Sequence, residues 1–157
     1  ALRMLERSAL AGRAVQVVFM DFHMPEMDGL ELAQRIRSNP LLAGTQVVVL
    51  TSMCHRLRPE EMRARGVAAW LVKPIKPARL QEALARLFAA EPASKPKQVR
   101  VSPAASPKTG EAVFADRFPG RLLVAEDTPI NQKLILKILE KLGYHPALAA
   151  NGHEVLD

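Results

Sequence analysis

Three observations along the chain predict an α/β fold built on a parallel sheet. Short β-branched or aromatic runs alternate with segments of helical apolar spacing, the rhythm that βαβ units produce. The runs are near-continuously apolar, as strands covered on both faces are. Each run also ends on polar groups, at the strand ends beyond which open α/β sheets bind ligands.

The elements follow in order. Val15 to Met20 reads as a strand and delivers Asp21, followed by Phe22–His23–Met24–Pro25–Glu26–Met27–Asp28–Gly29. Helical spacing covers Gly29–Arg37. Gln46–Leu50 is a second strand, running into Thr51–Ser52, and Pro59–Arg65 reads as helix. Ala68–Val72 is a third strand, running into Lys73–Pro74 ahead of a helix over Pro77–Phe88. Arg121–Ala125 is the last clear strand, leading into Glu126–Asp127 and a helix over Pro129–Leu142. Pro59, Pro77 and Pro129 stand near helix starts, where a missing N–H costs nothing. Pro74, for which a cis bond is accessible, fixes where the Lys73 ammonium points.

Residues 90–120 read as a linker. Pro92, Pro96, Pro103, Pro107 and Pro119 are interleaved with Ser, Ala, Lys and Gly, which supply no periodic apolar face and favour extended chain. Val113, Phe114 and Phe118 are candidates for local docking.

Composition narrows the class. Hydrophobic residues make up 48% and charged residues 24%, outside the disordered range, and no apolar run approaches the roughly eighteen residues that span a bilayer. The single cysteine, Cys54, forms no internal disulfide and fits a reducing compartment. The net charge of +6 raises the question of nucleic acid. The basic residues are spread along arginine-rich helices broken by acids, as in Arg56–Leu57–Arg58–Pro59–Glu60–Glu61, so a solvated surface is the reading and a nucleic-acid partner is not expected. The four histidines, His23, His55, His145 and His153, show no metal-ligand spacing.

The strand ends bring a carboxylate, a hydroxyl, an ammonium and two further acids to one edge. Clustered carboxylates are hard oxygen ligands that suit Mg²⁺, usually shared with a phosphate. A lysine and a hydroxyl hold the oxygens of a phosphoryl group, and Asp is an established covalent acceptor of phosphate.

These residues resemble the receiver domain of two-component response regulators, the CheY-like family. Met20–Asp21–Phe22–His23–Met24–Pro25–Glu26–Met27–Asp28–Gly29 resembles its phosphorylation motif. The resemblance implies a flavodoxin-like, doubly wound, five-stranded parallel sheet of order 2-1-3-4-5, with Asp21 as phosphoacceptor. It implies Glu126 and Asp127 as the acidic pair supporting Mg²⁺, and the backbone carbonyl of His23 as a further ligand. Thr51 would be the switch hydroxyl, Lys73 the phosphate-binding ammonium and Trp70 the aromatic switch. Asp127–Thr128–Pro129–Ile130–Asn131–Gln132–Lys133, with Lys141–Leu142–Gly143–Tyr144 and Asn151–Gly152–His153–Glu154, is similar to receivers fused to hybrid sensor histidine kinases. The implied partners are a histidine kinase or histidine phosphotransfer domain, with receiver–receiver contacts besides. The implied location is cytoplasmic, with the parent kinase free to be membrane-anchored.

The order of the pieces departs from that family. Its acidic pair belongs near a receiver's start, yet Glu126 follows Asp21 by about a hundred positions. Two tandem receivers, both cut, account for this: residues 1–89 as the back of one, from its second helix, and residues 121–157 as the front of the next. The halves are complementary and together match one domain of ordinary length. Placing Ala1 after Asp157 puts Val155, Ala1, Leu2 and Leu5 on one apolar helical face. The expectation is a single receiver folded in circularly permuted order, as a fragment of a longer hybrid kinase.

Other readings compete. Glu126 and Asp127 could simply cap the following helix, Trp70 could be core, and Met24 and Met27 are expected to pack or line the site's rim. A receiver that has lost phosphorylation would act as an interaction module. An aspartate-nucleophile phosphohydrolase normally needs a second acid two residues on, where His23 stands.

Overall fold

Apolar runs bounded by Gly, Pro and polar clusters become five strands and six helices among the described residues, which are 2–24, 28–52, 58–89 and 114–150 of a computed structural model. Expectations for Pro25, Glu26, Met27, Cys54, His55, Val113, His153 and the seam residues Val155 and Ala1 fall outside them. The order is α1 (Leu2–Leu10), β1 (Val17–Asp21), α2 (Gly29–Ser38), a 3-10 turn (Pro40–Leu42), β2 (Gln46–Thr51), α3 (Pro59–Ala64) and β3 (Val67–Val72). It continues with α4 (Pro77–Ala89), α5 (Phe114–Arg117), β4 (Leu122–Ala125), α6 (Pro129–Lys141) and β5 (Ala147–Ala149). Element ends differ from the sequence reading by a residue or two, as frayed ends do. Asp21 and Thr51 are the last residues of their strands rather than the first after them.

All strands are parallel, in the order β3-β2-β1-β4-β5. Counting β4 and β5 as first and second gives the expected 2-1-3-4-5, so the sheet is that of a flavodoxin-like fold in permuted order. β1 is the pivot. It pairs on one side with β2 (Val18 opposite Val47) and on the other with β4 (Val18 opposite Leu123).

Strand side chains alternate between two buried layers because successive Cβ atoms point to opposite faces. Val18, Met20, Val49, Trp70 and Leu123 pack with α1, α2 and α3 through Leu5, Leu32, Ile36 and Met62. Val17, Phe19, Leu50, Leu71 and Val124 pack with α4 and α6 through Leu80, Leu84, Ile135 and Leu139. Ala68 is an extra residue where the β2–β3 register shifts, a bulge that keeps both layers in phase. Both layers draw on both halves of the chain, so neither half encloses a core alone. Leu5 is fully buried and Leu2 packs against the same layer.

Within the stretch read as linker, α5 forms one helical turn. Phe114 and Phe118, 4.9 Å apart, group with Phe88 of α4 and Tyr144 beyond α6. Tyr144 donates its hydroxyl to the Phe118 carbonyl at 2.6 Å. Gly120 lets the chain pass close to this cluster: a Cβ there would lie 2.4 Å from the Phe88 ring, which would have to shift. This cluster seats the returning chain against both segments before β4 begins. Among the described residues no helix is long and apolar enough to cross a membrane.

Candidate functional site

The carboxyl ends of β1, β3 and β4 meet at one edge of the sheet, and parallel pairing is what puts them there. β1 ends on Asp21, whose register partner is Leu50. The next residue keeps the strands together, since Phe22 N–H donates to the Leu50 carbonyl at 2.8 Å. Gly29 then closes the loop after β1: its N–H donates to the Phe22 carbonyl, and a Cβ there would sit 2.4 Å from the Asp21 carbonyl oxygen. A glycine is therefore demanded by close approach. Asp28 caps α2, accepting from Glu31 N–H at 2.7 Å.

Asp21, Glu126 and Asp127 offer carboxylate oxygens that all lie within 4.8 Å of one another. Asp21 is 9% exposed, Glu126 is fully buried and Asp127 is half-buried. Lys73, following β3 and preceding a cis peptide bond to Pro74, reaches into this group. Its Nζ lies 3.0 Å from Asp21 Oδ2 and 2.8 Å from Glu126 Oε2. Burial opposes the ammonium's charge, but the hydrogen bonds to Glu126 and Asp21 and their charges outweigh it, so the Lys73 pKa is raised.

Three carboxylates against one ammonium leave an excess of negative charge at hard oxygen donors. That donor set fits Mg²⁺ better than a soft or nitrogen-preferring metal. Among the described residues, Asp127 Oδ1 accepts from the Thr128 hydroxyl alone, at 3.2 Å. Among the described residues, Asp21's polar side-chain contact is Lys73 alone, so both aspartates keep an oxygen uncommitted.

Thr51 is 2% exposed, and its hydroxyl makes one long bond, donating to the Ser52 carbonyl at 3.3 Å. Trp70 is 5% exposed, on the same side of the sheet as Thr51 and one register step back: Val49 is opposite Trp70 and Thr51 opposite Val72. Trp70 packs inward, within the layer that holds Val49 and Met62. His23 is exposed and its ring packs edge-on against Phe22. Met24 is buried in the α1–α3 layer, in keeping with a packing role.

Sequence reasoning assigned no role to Asn131, which donates from Nδ2 to Glu126 Oε1 at 3.0 Å. An amide one helical turn after a strand-end acid was the available signal. Ser52, Lys73, Ile75, Asn131 and Leu134 line a cavity of about 330 Å³ beside the carboxylates. A larger hollow of about 480 Å³ lies among Arg121, Tyr144 and His145 and is lined by none of Asp21, Lys73, Glu126 or Asp127. Lys73 and Asn131, both bonded to Glu126, line the smaller cavity.

A family model described as "Response regulator receiver domain" matches residues 2–85. The chain is 35% identical over 78 residues to the cyclic di-GMP phosphodiesterase response regulator RpfG of Xanthomonas campestris, covering 50% of this chain and 20% of that protein. It is 34% identical over 71 residues to the chemotaxis protein CheY-3 of Vibrio cholerae, covering 45% and 55%. Among solved structures, the receiver domain of AraT, a response regulator from Geobacillus stearothermophilus, aligns at 31% identity with a TM-score of 0.44, over 55% of this chain and 64% of that one. The chain thus spans from a fifth to about half the length of these two curated relatives.

Proposed function

Because the chain belongs to the response-regulator receiver family, whose members act in phosphorelay signalling with histidine kinases or phosphotransfer proteins, we propose that it accepts a phosphoryl group on Asp21. The observation that carries this is the meeting of Asp21, Glu126, Asp127 and Lys73, drawn from three strand ends and both halves of the chain.

In this reading an Asp21 oxygen attacks phosphorus of a phosphohistidine. The P–O bond forms as the P–N bond breaks, and its electron pair returns to an imidazole protonated at its other nitrogen, which leaves neutral. Lys73 holds one phosphoryl oxygen electrostatically and Thr51 donates its hydroxyl to another. Mg²⁺, when bound, would offset charge on the transferring oxygens. Asp21, Asp127 and the His23 carbonyl are the residues that would hold it, with Glu126 assisting. Movement of Thr51 toward the phosphate would favour the inward Trp70 packing already present, biasing the face around α3, β3 and α4 as a population shift.

The donor would be a histidine kinase or histidine phosphotransfer domain in the cytoplasm, and the chain would be part of a hybrid sensor kinase: residues 1–89 ending one receiver and residues 121–157 beginning the next, joined by the linker 90–120.

The test is intact mass after incubation with Mg²⁺ and a small-molecule phosphodonor. One base-labile phosphate is expected, absent in Asp21→Asn and Asp127→Asn and retained in Asp28→Asn. Uptake retained in Asp21→Asn would overturn the assignment. A folded wild type that takes up none would favour a phosphorylation-independent interaction module.

A further inference from the structure

Glu126 has every oxygen engaged inside the protein. Fully buried, it accepts at Oε1 from Asn131 Nδ2 at 3.0 Å and from Thr128 N–H at 3.3 Å, and at Oε2 from Lys73 Nζ at 2.8 Å. Gln132 adds a bond to the Glu126 main-chain carbonyl at 2.6 Å. A glutamate has three side-chain torsions, and two donors on one oxygen decide where the other oxygen points. Neighbours that orient a functional group in this way tune its chemistry, and losing one typically costs about 10–100-fold in affinity or activity. Asn131 stands in the first turn of α6 and also lines the cavity beside Lys73. It is therefore placed to act on the site and not merely to finish a helix end.

Resting on the phosphoacceptor reading above, we propose that Asn131 is a positioning residue: it fixes the Glu126 carboxylate so that Oε2 anchors the Lys73 ammonium beside Asp21. Glu126 then assists through Lys73 and not as a direct ligand of the cation, and Asp21 and Asp127, each with an uncommitted oxygen, share the direct ligation with the His23 carbonyl.

The experiment compares wild type with Asn131→Ala and Asn131→Asp, each shown by circular dichroism to be folded. Asn131→Asp keeps size and suits a helix's first turn, yet it removes the donor and sets a carboxylate against Glu126. In the metal-free protein, the ¹⁵Nζ signal of Lys73 is expected as a resolved, slowly exchanging resonance in wild type and broadened or shifted in both variants. Phosphate uptake from the small-molecule donor at saturating Mg²⁺ should fall about ten- to a hundredfold. The Mg²⁺ concentration for half-saturation, followed by calorimetry, should change less than about threefold, since Glu126 is not the ligand.

An unchanged Lys73 signal in both variants, or none resolved in wild type, overturns the positioning role. A fall in Mg²⁺ affinity that matches the fall in rate overturns the indirect role of Glu126. If wild type takes up no phosphate, the phosphoacceptor reading fails while the Lys73 spectrum still decides the role of Asn131.

Discussion

Lys73 Nζ and Glu126 Oε2 lie 2.8 Å apart across 53 positions of sequence, and this bond joins the end of β3 to the end of β4. It links the two segments directly at the site, because each residue belongs to a different half of the permuted domain.

Replacing Lys73 should expose how much that link stabilises. Lys73→Met leaves Glu126 buried without its counter-charge, and a loss of about 1–3 kcal/mol is expected in urea unfolding at neutral pH. The sign of the pH dependence follows from a pKa raised above the usual 10.5. The ammonium's contribution is fully present below about pH 10.5 and is lost as pH rises through the raised value. The gap between wild type and variant should narrow there. A gap constant across that range would mean that charge is not its source.

Gly29→Ala should damage the site without touching a charged group. The added methyl would meet the Asp21 carbonyl at 2.4 Å, and that atom is backbone, so the strand end or the start of α2 must shift. A destabilisation of about 1–3 kcal/mol is expected, together with slower phosphate uptake than in the Asp28→Asn variant. Thermal melts with uptake rates check both. Wild-type behaviour in each would show that the loop relaxes freely.

Fragments 1–89 and 114–157 should complement each other. Val17, Val18, Phe19 and Met20 find their ladder partners on β4 from Leu122 to Ala125, and α4 shares its buried layer with α6. Neither peptide alone should unfold cooperatively, whereas an equimolar mixture should show one cooperative transition and a 1:1 mass in solution. Cooperative folding of 1–89 by itself would refute the shared core.

Tyr144 is the single tyrosine, so its titration is readable by tyrosinate absorbance. Burial pushes its pKa up to about 12 from 10. The neutral phenol's contribution is therefore fully present below about pH 10 and lost as pH rises through about 12. The native protein should titrate near 12 and the urea-unfolded chain near 10. Tyr144→Phe should cost about 1 kcal/mol through the lost bond to the Phe118 carbonyl. A native midpoint near 10 would place the ring outside the aromatic cluster.

Much of this fold is determined by local sequence. The β-branched runs at Val17–Met20 and Val47–Leu50 have no helical face to offer, the prolines at 59, 77 and 129 mark helix starts, and the polar residues that end the runs give the site's edge. Even the permuted strand order was legible, because an acidic pair and a phosphoacceptor motif in reversed order leave one parallel sheet that uses both. What tertiary structure alone decided is contact between side chains far apart in the chain. Lys73 reaches Glu126, Asn131 takes the opposite oxygen, and Gly29 lies against the Asp21 carbonyl. It also decided that Phe114 and Phe118 seat the returning chain on Phe88 and Tyr144. Periodicity reports which face of an element is buried. The rotamer of a buried glutamate, and the space left beside a carbonyl, depend on atoms that neighbour each other only after the sheet has closed.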